Sequence, residues 1–294
     1  MFAGYSGLEM GAMQVLDASP AWFAEIDAAP SRILQHHYPE APNLGDVTKV
    51  DWGSVPRIDI LTAGYPCQPF SQAGHRKGTN DERHLWPYVY EAIKHLRPRI
   101  AFFENVRGHL TLGLAEVLED LASIGWDARW ACVRASDVGA PHHRERLFIL
   151  ATNPDSFGQQ EGGLARRPAP EITWDNDLYD TLAGLNQAAD IDLEMKLCWG
   201  DTAPAILTWA VLTNRNPPPI VIDHADKALH PRFPETRAAT NPEFIEWMMG
   251  LPEGWVTGVP GLRRTQQVKA LGNGVIPLQA AAALRCLLDQ AEGI

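Results

Sequence analysis

Residues 58–70 read Ile-Asp-Ile-Leu-Thr-Ala-Gly-Tyr-Pro-Cys-Gln-Pro-Phe. Ile58 to Ala63 is an apolar run of strand length, closed by Gly64. The turn that follows sets Cys67 between two prolines, which fix φ and restrict the residue before each of them. A cysteine serving as a small core hydrophobe gains nothing from that stiffening, and a disulfide would need a partner. A buried strand ending in a rigid, thiol-bearing turn fits an open α/β sheet, where ligands bind beyond the carboxyl ends of the strands.

Outward from this stretch, strand and helix signals alternate. Leu8 to Leu16 carries apolar residues at helical spacing, Trp22 to Ile26 predicts a strand, and Ser31 to His37 a helix after Pro30. Leu85, Val89, Ile93 and Leu96 form a helical stripe that stops before Pro98. Ile100 to Phe103 reads as a strand, 114–124 as a helix ended by Gly125, and Ala128, Trp130 and Cys132 alternate as a strand. Leu147 to Ala151 makes one more. The pattern is that of a doubly wound sheet. Residues 135–146 show no helix pattern, and a parallel return needs a crossover, so the last two strands are predicted antiparallel. Arg146, at the start of the last strand, then falls on the edge where the other strands end.

Between 152 and 240 periodicity weakens, residues 217–219 are three prolines, and 13 acids stand against seven Lys and Arg. This predicts a separate small domain or long insertion. Asn241-Pro242 is a helix-start signal. Residues 266–274 read as a polar, glycine-bearing stretch, and Pro277 opens a final helix.

The formal charge of −11 argues, taken alone, against a nucleic-acid partner. Two basic clusters qualify it. One is Arg129, Arg134, Arg144 and Arg146 with His142 and His143; the other is His75, Arg76, Lys77, Arg83 and His84. Either is also what an ordinary solvated surface looks like. The four cysteines form no CxxC pair, so neither zinc nor a disulfide framework is suggested, and a reducing cytoplasm is the expected setting. No apolar run approaches the ~18 residues of a membrane span, and no secretion leader is expected.

Three stretches belong at the ligand edge. Phe2-Ala3-Gly4-Tyr5-Ser6-Gly7 leads into a helix, and Glu25 follows Gly4 by 21 residues, near the spacing at which nucleotide-binding sheets hold ribose hydroxyls. Asp46 lies at the next such position, where it would accept from an adenine amine. Without a full GxGxxG this also reads as a plain strand-turn-helix. Cys67 needs local help to become a nucleophile, since a free thiol is only a few per cent thiolate near neutral pH. Glu104 ends an apolar strand; desolvation there raises a carboxyl pKa and suits a proton donor, although surface glutamates also end strands.

With Cys67, Glu104 and Arg146 on one edge beside an adenosine-type site, the chain resembles the C5-cytosine DNA methyltransferase family of bacteria and phages. Phe2 to Gly7, Glu25 and Gly45-Asp46-Val47 resemble its three S-adenosylmethionine motifs. Pro66-Cys67-Gln68-Pro69-Phe70-Ser71 is similar to its catalytic motif and is the most specific match. Glu104-Asn105-Val106 and Arg144-Glu145-Arg146 follow in order. Glu246 to Pro252 and Ala270 to Val275 with Pro277 are similar to its last two blocks. The resemblance implies a Rossmann-like S-adenosylmethionine-dependent methyltransferase sheet with an antiparallel last strand. It divides the chain into a catalytic and cofactor-binding domain at 1–151, a target-recognition domain at 152–238 and a return at 239–294.

It further implies covalent addition of Cys67 to carbon 6 of a flipped-out cytosine in double-stranded DNA. Glu104 would hold N3 and the exocyclic amine, Arg146 the O2 carbonyl, Arg144 the same pocket, and Pro66 and Pro69 the aim of the sulfur. Phe2, Gly4, Ser6, Gly7, Glu25, Ile26, Asp46, Val47, Gly64 and Asn273 would line the cofactor site. Ser71, Arg76, Lys77 and Arg83 would contact DNA phosphates. No metal is implied. A monomer, with or without a cognate restriction endonuclease, is expected. Three departures stand out: the chain starts at Met1-Phe2 where the family has an apolar strand, which implies either a shortened strand or a misassigned start; Ser6 replaces a common glycine; and His142 replaces a glutamine. A non-catalytic DNA-binding relic and a tRNA cytosine methyltransferase are the competing readings.

Overall fold

The computed structural model describes residues 1–66, 85–156, 164–168, 199–223 and 238–292. Cys67, Ser71, Arg76, Lys77, Arg83 and most of 152–238 lie outside the described residues. The chain divides into two compact units. The first comprises Met1–Arg134, Arg144–Pro168 and Gly274–Ile294; the second comprises Ala135–His143 and Ala169–Asn273.

The first unit is built on four named strands: β1 (Ile60–Ala63), β2 (Ile100–Val106), β3 (Asp127–Arg134) and β4 (Glu145–Thr152), in the order β1-β2-β4-β3. β1 and β2 are parallel, with Ala63 opposite Phe103. β4 runs antiparallel between β2 and β3, with Val106 opposite Arg146 and Glu104 opposite Phe148. The antiparallel last strand is as the sequence predicts: a short 3-10 turn at Ala135–Val138 replaces the crossover helix that a parallel return requires.

Helices cover both faces. Successive side chains of a strand point to opposite faces. Ala101, Phe103, Leu147 and Ile149 therefore pack with α3 (Trp86–Leu96) and α4 (Leu114–Ser123). Ile100, Phe102, Phe148 and Leu150 pack on the other face with α1 (Gly7–Val15) and the last helix, Pro277–Glu292. Phe102 and Phe148 stack with centroids 5.7 Å apart and no exposure, and each such burial contributes about 1.5–3 kcal/mol. α2 (Ala28–His37) buries Ile33 and Leu34.

One expectation is corrected. Trp22 to Ile26 is not a strand: a single parallel bridge joins Phe23 to Asn43. Pro42 lacks the N–H that would extend the ladder on one side, and on the other Glu25 N donates to Asn43 Oδ1 instead. The polar, glycine-bearing stretch 266–274, to which its sequence assigns no element, falls mostly within a helix, Arg264–Asn273, which buries Ala270 and Leu271. The first residues pair with β1 and with Ala24 without a full ladder: the Met1 nitrogen donates to Thr62 O at 2.8 Å, Gly64 N to Met1 O at 3.3 Å, and Phe2 N to Ala24 O at 2.8 Å.

In the second unit, α5 (Ala203–Thr213), β5 (Val221–Asp223), β6 (Ala238–Thr240), α6 (Pro242–Met248) and α7 (Arg264–Asn273) follow in order, and the last helix of the first unit is α8. Asn241 caps α6 by accepting from Glu243 N, as its sequence signal predicts. Trp209 Nε1 donates to Trp247 O at 2.8 Å and Trp247 Nε1 to Arg215 O at 3.0 Å, so both buried indoles are satisfied. Residues Arg264–Ala291 include an 18-residue stretch apolar enough to cross a membrane by composition; 61% of it is buried, as in a core helix.

Candidate active site

Because β1 and β2 are parallel, both deliver their carboxyl ends to one edge. Gly64 thus lies beside Glu104: a β-carbon on Gly64 would stand 3.6 Å from Glu104 Oε2 and 3.5 Å from Phe2 O. β4 begins at the same edge. Glu104 and Phe148 are directly opposed, and Arg146 precedes Phe148 by two residues, so Glu104 and Arg146 share a face. Arg146 Nε donates to Glu104 Oε1 at 2.8 Å, with the side chains 18% and 12% exposed. A charge-assisted bond this short, in partial shelter from water, holds the carboxylate in one orientation.

Burial pushes the Glu104 pKa up, against the pull of the Arg146 and Arg144 charges and of the Arg146 hydrogen bond. The carboxyl therefore keeps a proton to higher pH than an exposed glutamate, the property a proton donor to a ring nitrogen needs. Arg144, whose pKa is lowered by burial and then by Arg146, is tethered by its own bond from Nη2 to Gly274 O at 2.6 Å. Tyr5 closes the floor beneath them: it is fully buried, donates its hydroxyl to Val275 O at 2.7 Å, and has its pKa raised by burial.

The turn at residues 2–7 approaches the same edge. Gly4 has φ +56°, in the left-handed region, and a β-carbon there would meet open space. Its N–H donates to Glu25 Oε2 at 3.0 Å, and Asp27 N donates to Glu25 Oε1 at 2.8 Å. The Glu25 pKa is raised by burial, with those two N–H bonds opposing. Ser6 takes φ +75° and Phe2 φ +53°, so the turn uses backbone shapes that favour glycine even where serine stands. Gly7 packs so closely on the Val275 carbonyl that a β-carbon would collide with it.

Ile26, beside Glu25, is 70% exposed, an aliphatic surface open to solvent next to a carboxylate. Asp46 accepts from Thr48 N at 3.0 Å and Thr48 Oγ1 at 2.8 Å, bonds that hold its carboxyl below the usual range, while Val47 is buried. Asn273 ends α7 in the second unit. Glu25, the Gly4 turn and Ile26 suit an adenosine: a carboxylate for a ribose diol, an open backbone and an aliphatic face for a base. That donor set fits S-adenosylmethionine.

Sequence reasoning missed the residues that hold these side chains in place. Asn43 accepts from Glu25 N at 3.0 Å and donates to Glu25 O at 3.0 Å and to Ser31 Oγ at 3.0 Å. The one available signal was the turn composition Pro42-Asn43-Leu44-Gly45. Glu145 faces away from the pocket and pairs with Arg107 at 3.1 Å, while its carbonyl accepts from Arg146 Nη1 at 2.9 Å. His142, the departure noted in the arginine stretch, sits 3.2 Å from Met248 O through Nε2. A cavity of about 350 Å³ beside Met1, Glu9, Trp22 and Ile58 flanks the starting half of β1, not the edge that carries Glu104.

The family model for the C-5 cytosine-specific DNA methylase matches residues 1–189. The chain belongs to that family. It is 34% identical over 237 residues to the Type II methyltransferase M.NlaIV of Neisseria lactamica, a match covering 67% of this chain and 56% of that protein. It is 35% identical over 149 residues to the orphan methyltransferase M.SPRI of Bacillus phage SPR, over 48% of this chain and 34% of that one. The chain thus spans about half the length of the curated relatives it matches, 56% for M.NlaIV.

Among solved structures it resembles the S. pombe Dnmt2 methyltransferase, with a TM-score of 0.61 and 14% identity over 99% of this chain and 97% of that one. It also resembles a DNA modification methyltransferase encoded within an E. coli prophage, with a TM-score of 0.59 and 20% identity over 98% of both chains. These likenesses show the Rossmann-like methyltransferase fold, and the family uses S-adenosylmethionine.

Proposed function

We propose that this methyltransferase moves a methyl group from S-adenosylmethionine to carbon 5 of a cytosine flipped out of a specific double-stranded DNA sequence. The observation that carries the proposal is the sheltered Glu104–Arg146 pair, one strand pairing away from the Gly64 that leads into Cys67. Carbon 5 of cytosine is a poor nucleophile. The Cys67 thiolate adds to carbon 6, forming an S–C bond, and the ring electrons move to N3, which takes a proton from Glu104. Carbon 5, now enamine-like, would take the methyl carbon as its bond to sulfur breaks, the bonding pair returning to sulfur and leaving a neutral thioether. The cofactor's contribution is an electrophilic methyl on a sulfonium.

Loss of the carbon 5 proton to water then expels Cys67 as thiolate, and N3 returns its proton to Glu104. Arg146 holds O2 and orients Glu104; Arg144 supports the same pocket; Pro66 stiffens the approach to Cys67. Phe2, Gly4, Ser6, Gly7, Glu25, Ile26, Asp46, Val47, Gly64 and Asn273 bind the cofactor. Ser71, Arg76, Lys77 and Arg83 contact phosphates, which position DNA without reading its sequence. A base inside a duplex is out of reach of this chemistry, so flipping is required. Residues 152–238 carry target recognition. We assign a monomer acting in a bacterial or phage-infected cytoplasm, with a cognate endonuclease among its possible genetic partners.

The test supplies labelled S-adenosylmethionine with genomic DNA from a host free of cytosine methylation, or with total tRNA. Nucleoside mass spectrometry should find 5-methylcytosine in the DNA digest. Transfer to tRNA exceeding that to duplex DNA would overturn the substrate, and no binding of the cofactor at micromolar levels would leave a DNA-binding relic.

A further inference from the structure

Strand alternation sends Glu104 and Asn105 to opposite faces of β2. Glu104 serves the arginine side, while Asn105, 3% exposed, reaches across to donate from Nδ2 to Tyr65 O at 3.1 Å. Tyr65 is itself buried, its ring 5.3 Å from that of Trp86 and edge-on to Phe103 at 6.1 Å. Its hydroxyl lies 2.9 Å from His109 Nε2, inside the protein. His109 is 3% exposed, and its Nδ1 lies 3.0 Å from Leu112 O. A carbonyl only accepts, so Nδ1 carries the hydrogen; in the neutral ring Nε2 is then an acceptor, and the Tyr65 hydroxyl is the donor.

This buried chain of bonds runs Tyr65 to His109 to Leu112, with Asn105 on the Tyr65 carbonyl. It fixes the residue two places before Cys67 to the strand and turn that carry Glu104.

The geometry points to His109, acting through Tyr65, as a positioning residue for the thiol: it sets the point from which Pro66 delivers Cys67 toward the base held by Glu104. The inference rests on the reading of Cys67 as the nucleophile. A group held to about an ångström by a rigid support loses about a hundredfold in rate when the support is lost, so an anchor two residues away acts mainly on the chemical step.

The variants are Tyr65→Phe, His109→Phe, the double variant and His109→Gln, assayed as kcat and as KM for cofactor and DNA. Tyr65→Phe removes one oxygen and should lower kcat about tenfold with both KM values within about twofold. His109→Phe should match it, and the double variant should be no more than about threefold slower than either single, because the two act as one unit. His109→Gln places an acceptor near the former Nε2 and should restore kcat to within about threefold of the parent. Losses that multiply in the double variant, a Tyr65→Phe enzyme at parental kcat, or a His109→Gln enzyme as slow as His109→Phe would each overturn the inference.

Iodoacetamide labelling of Cys67, read by peptide mass spectrometry against the exposed Cys286, gives a second measurement that needs no methyl transfer. Tyr65→Phe should speed Cys67 labelling at least about threefold while Cys286 is unchanged. An inactive parent whose Cys67 labelling responds this way sinks the proposed function and spares the anchor; an unchanged rate sinks the anchor.

Discussion

Replacing Arg146 by Met removes the cation that faces Glu104 at 2.8 Å and leaves a sheltered carboxylate without it. A buried charge stripped of its partner typically costs about 3–5 kcal/mol, but a carboxyl escapes part of that by taking a proton. The escape sets a ceiling. With an unfolded value near 4.5, holding the carboxyl neutral at pH 7 costs about 1.36 kcal/mol for each of about 2.5 units, or about 3.4 kcal/mol; at about pH 5.5 it costs about 1.4 kcal/mol.

The sign follows from proton binding. Without Arg146 the folded pKa stands above the unfolded one, so the folded state binds more protons between them. The charge penalty is absent below the unfolded value and grows as pH rises toward the folded value. Burial already raises the parent's Glu104 pKa, so both proteins lose stability together as pH rises until the parent's carboxyl ionises; above that point the loss relative to the parent should widen, by at most about 2 kcal/mol over about 1.5 pH units, on top of a constant packing loss. Urea unfolding followed by tryptophan fluorescence at several pH values measures it. Placing the same substitution in a Glu104→Gln background should abolish the pH-dependent part. A deficit that stays flat through the pH range in which the parent's Glu104 ionises, or a pH-dependent one that survives unchanged in the Glu104→Gln background, would refute the electrostatic account of the pair.

Cys67→Ser should leave the fold intact and hold turnover below about a tenth of the parent rate, a barrier change above about 1.4 kcal/mol. Glu104→Gln should lower kcat by about 10²–10⁴ and erase the fall in rate at high pH, which reports loss of the Glu104 proton; an unchanged pH profile would remove it as the donor. Glu25→Ala should weaken cofactor binding about tenfold by calorimetry, since it loses the ribose acceptor and frees Gly4 N, with DNA binding unaffected. Glu246→Gln should cost the second unit about 2–4 kcal/mol, read by urea unfolding. The buried carboxylate accepts from Gly254 N, Val256 N, Thr257 N and Thr257 Oγ1, and an amide would turn a donor against donors.

What could be read from the sequence follows from the range of the forces involved. β2 and β4 announce themselves as continuous apolar runs buried on both faces, β1 as a short apolar run, and helices α1, α3, α4 and α8 as apolar stripes at helical spacing. The antiparallel return was legible from a missing helix. The pairing of Glu104 with Arg146 was legible only as two residues on one edge; their common face needs the register, which sets Arg146 two residues from the partner of Glu104.

Trp22 to Ile26 failed because apolar content signals burial and not pairing, and the backbone there pairs only at the Phe23–Asn43 bridge and through Phe2 N to Ala24 O. The helix Arg264–Asn273 was not legible because a polar helix has little periodicity to show, and only Ala270 and Leu271 are buried. Asn43, Tyr65 and His109 were invisible for a different reason: each acts through a hydrogen bond to a residue distant in sequence, and no local pattern encodes a partner 18 or 44 positions away.

The central claim is a covalent methyl transfer to cytosine in DNA. Bisulfite sequencing tests it most directly, on a host with no cytosine methylation of its own that expresses either the chain or its Cys67→Ser variant. The account predicts protected cytosines in one short recurring context with the parent and none with the variant. Complete conversion with a cofactor-binding parent, or equal protection by the two, would contradict it.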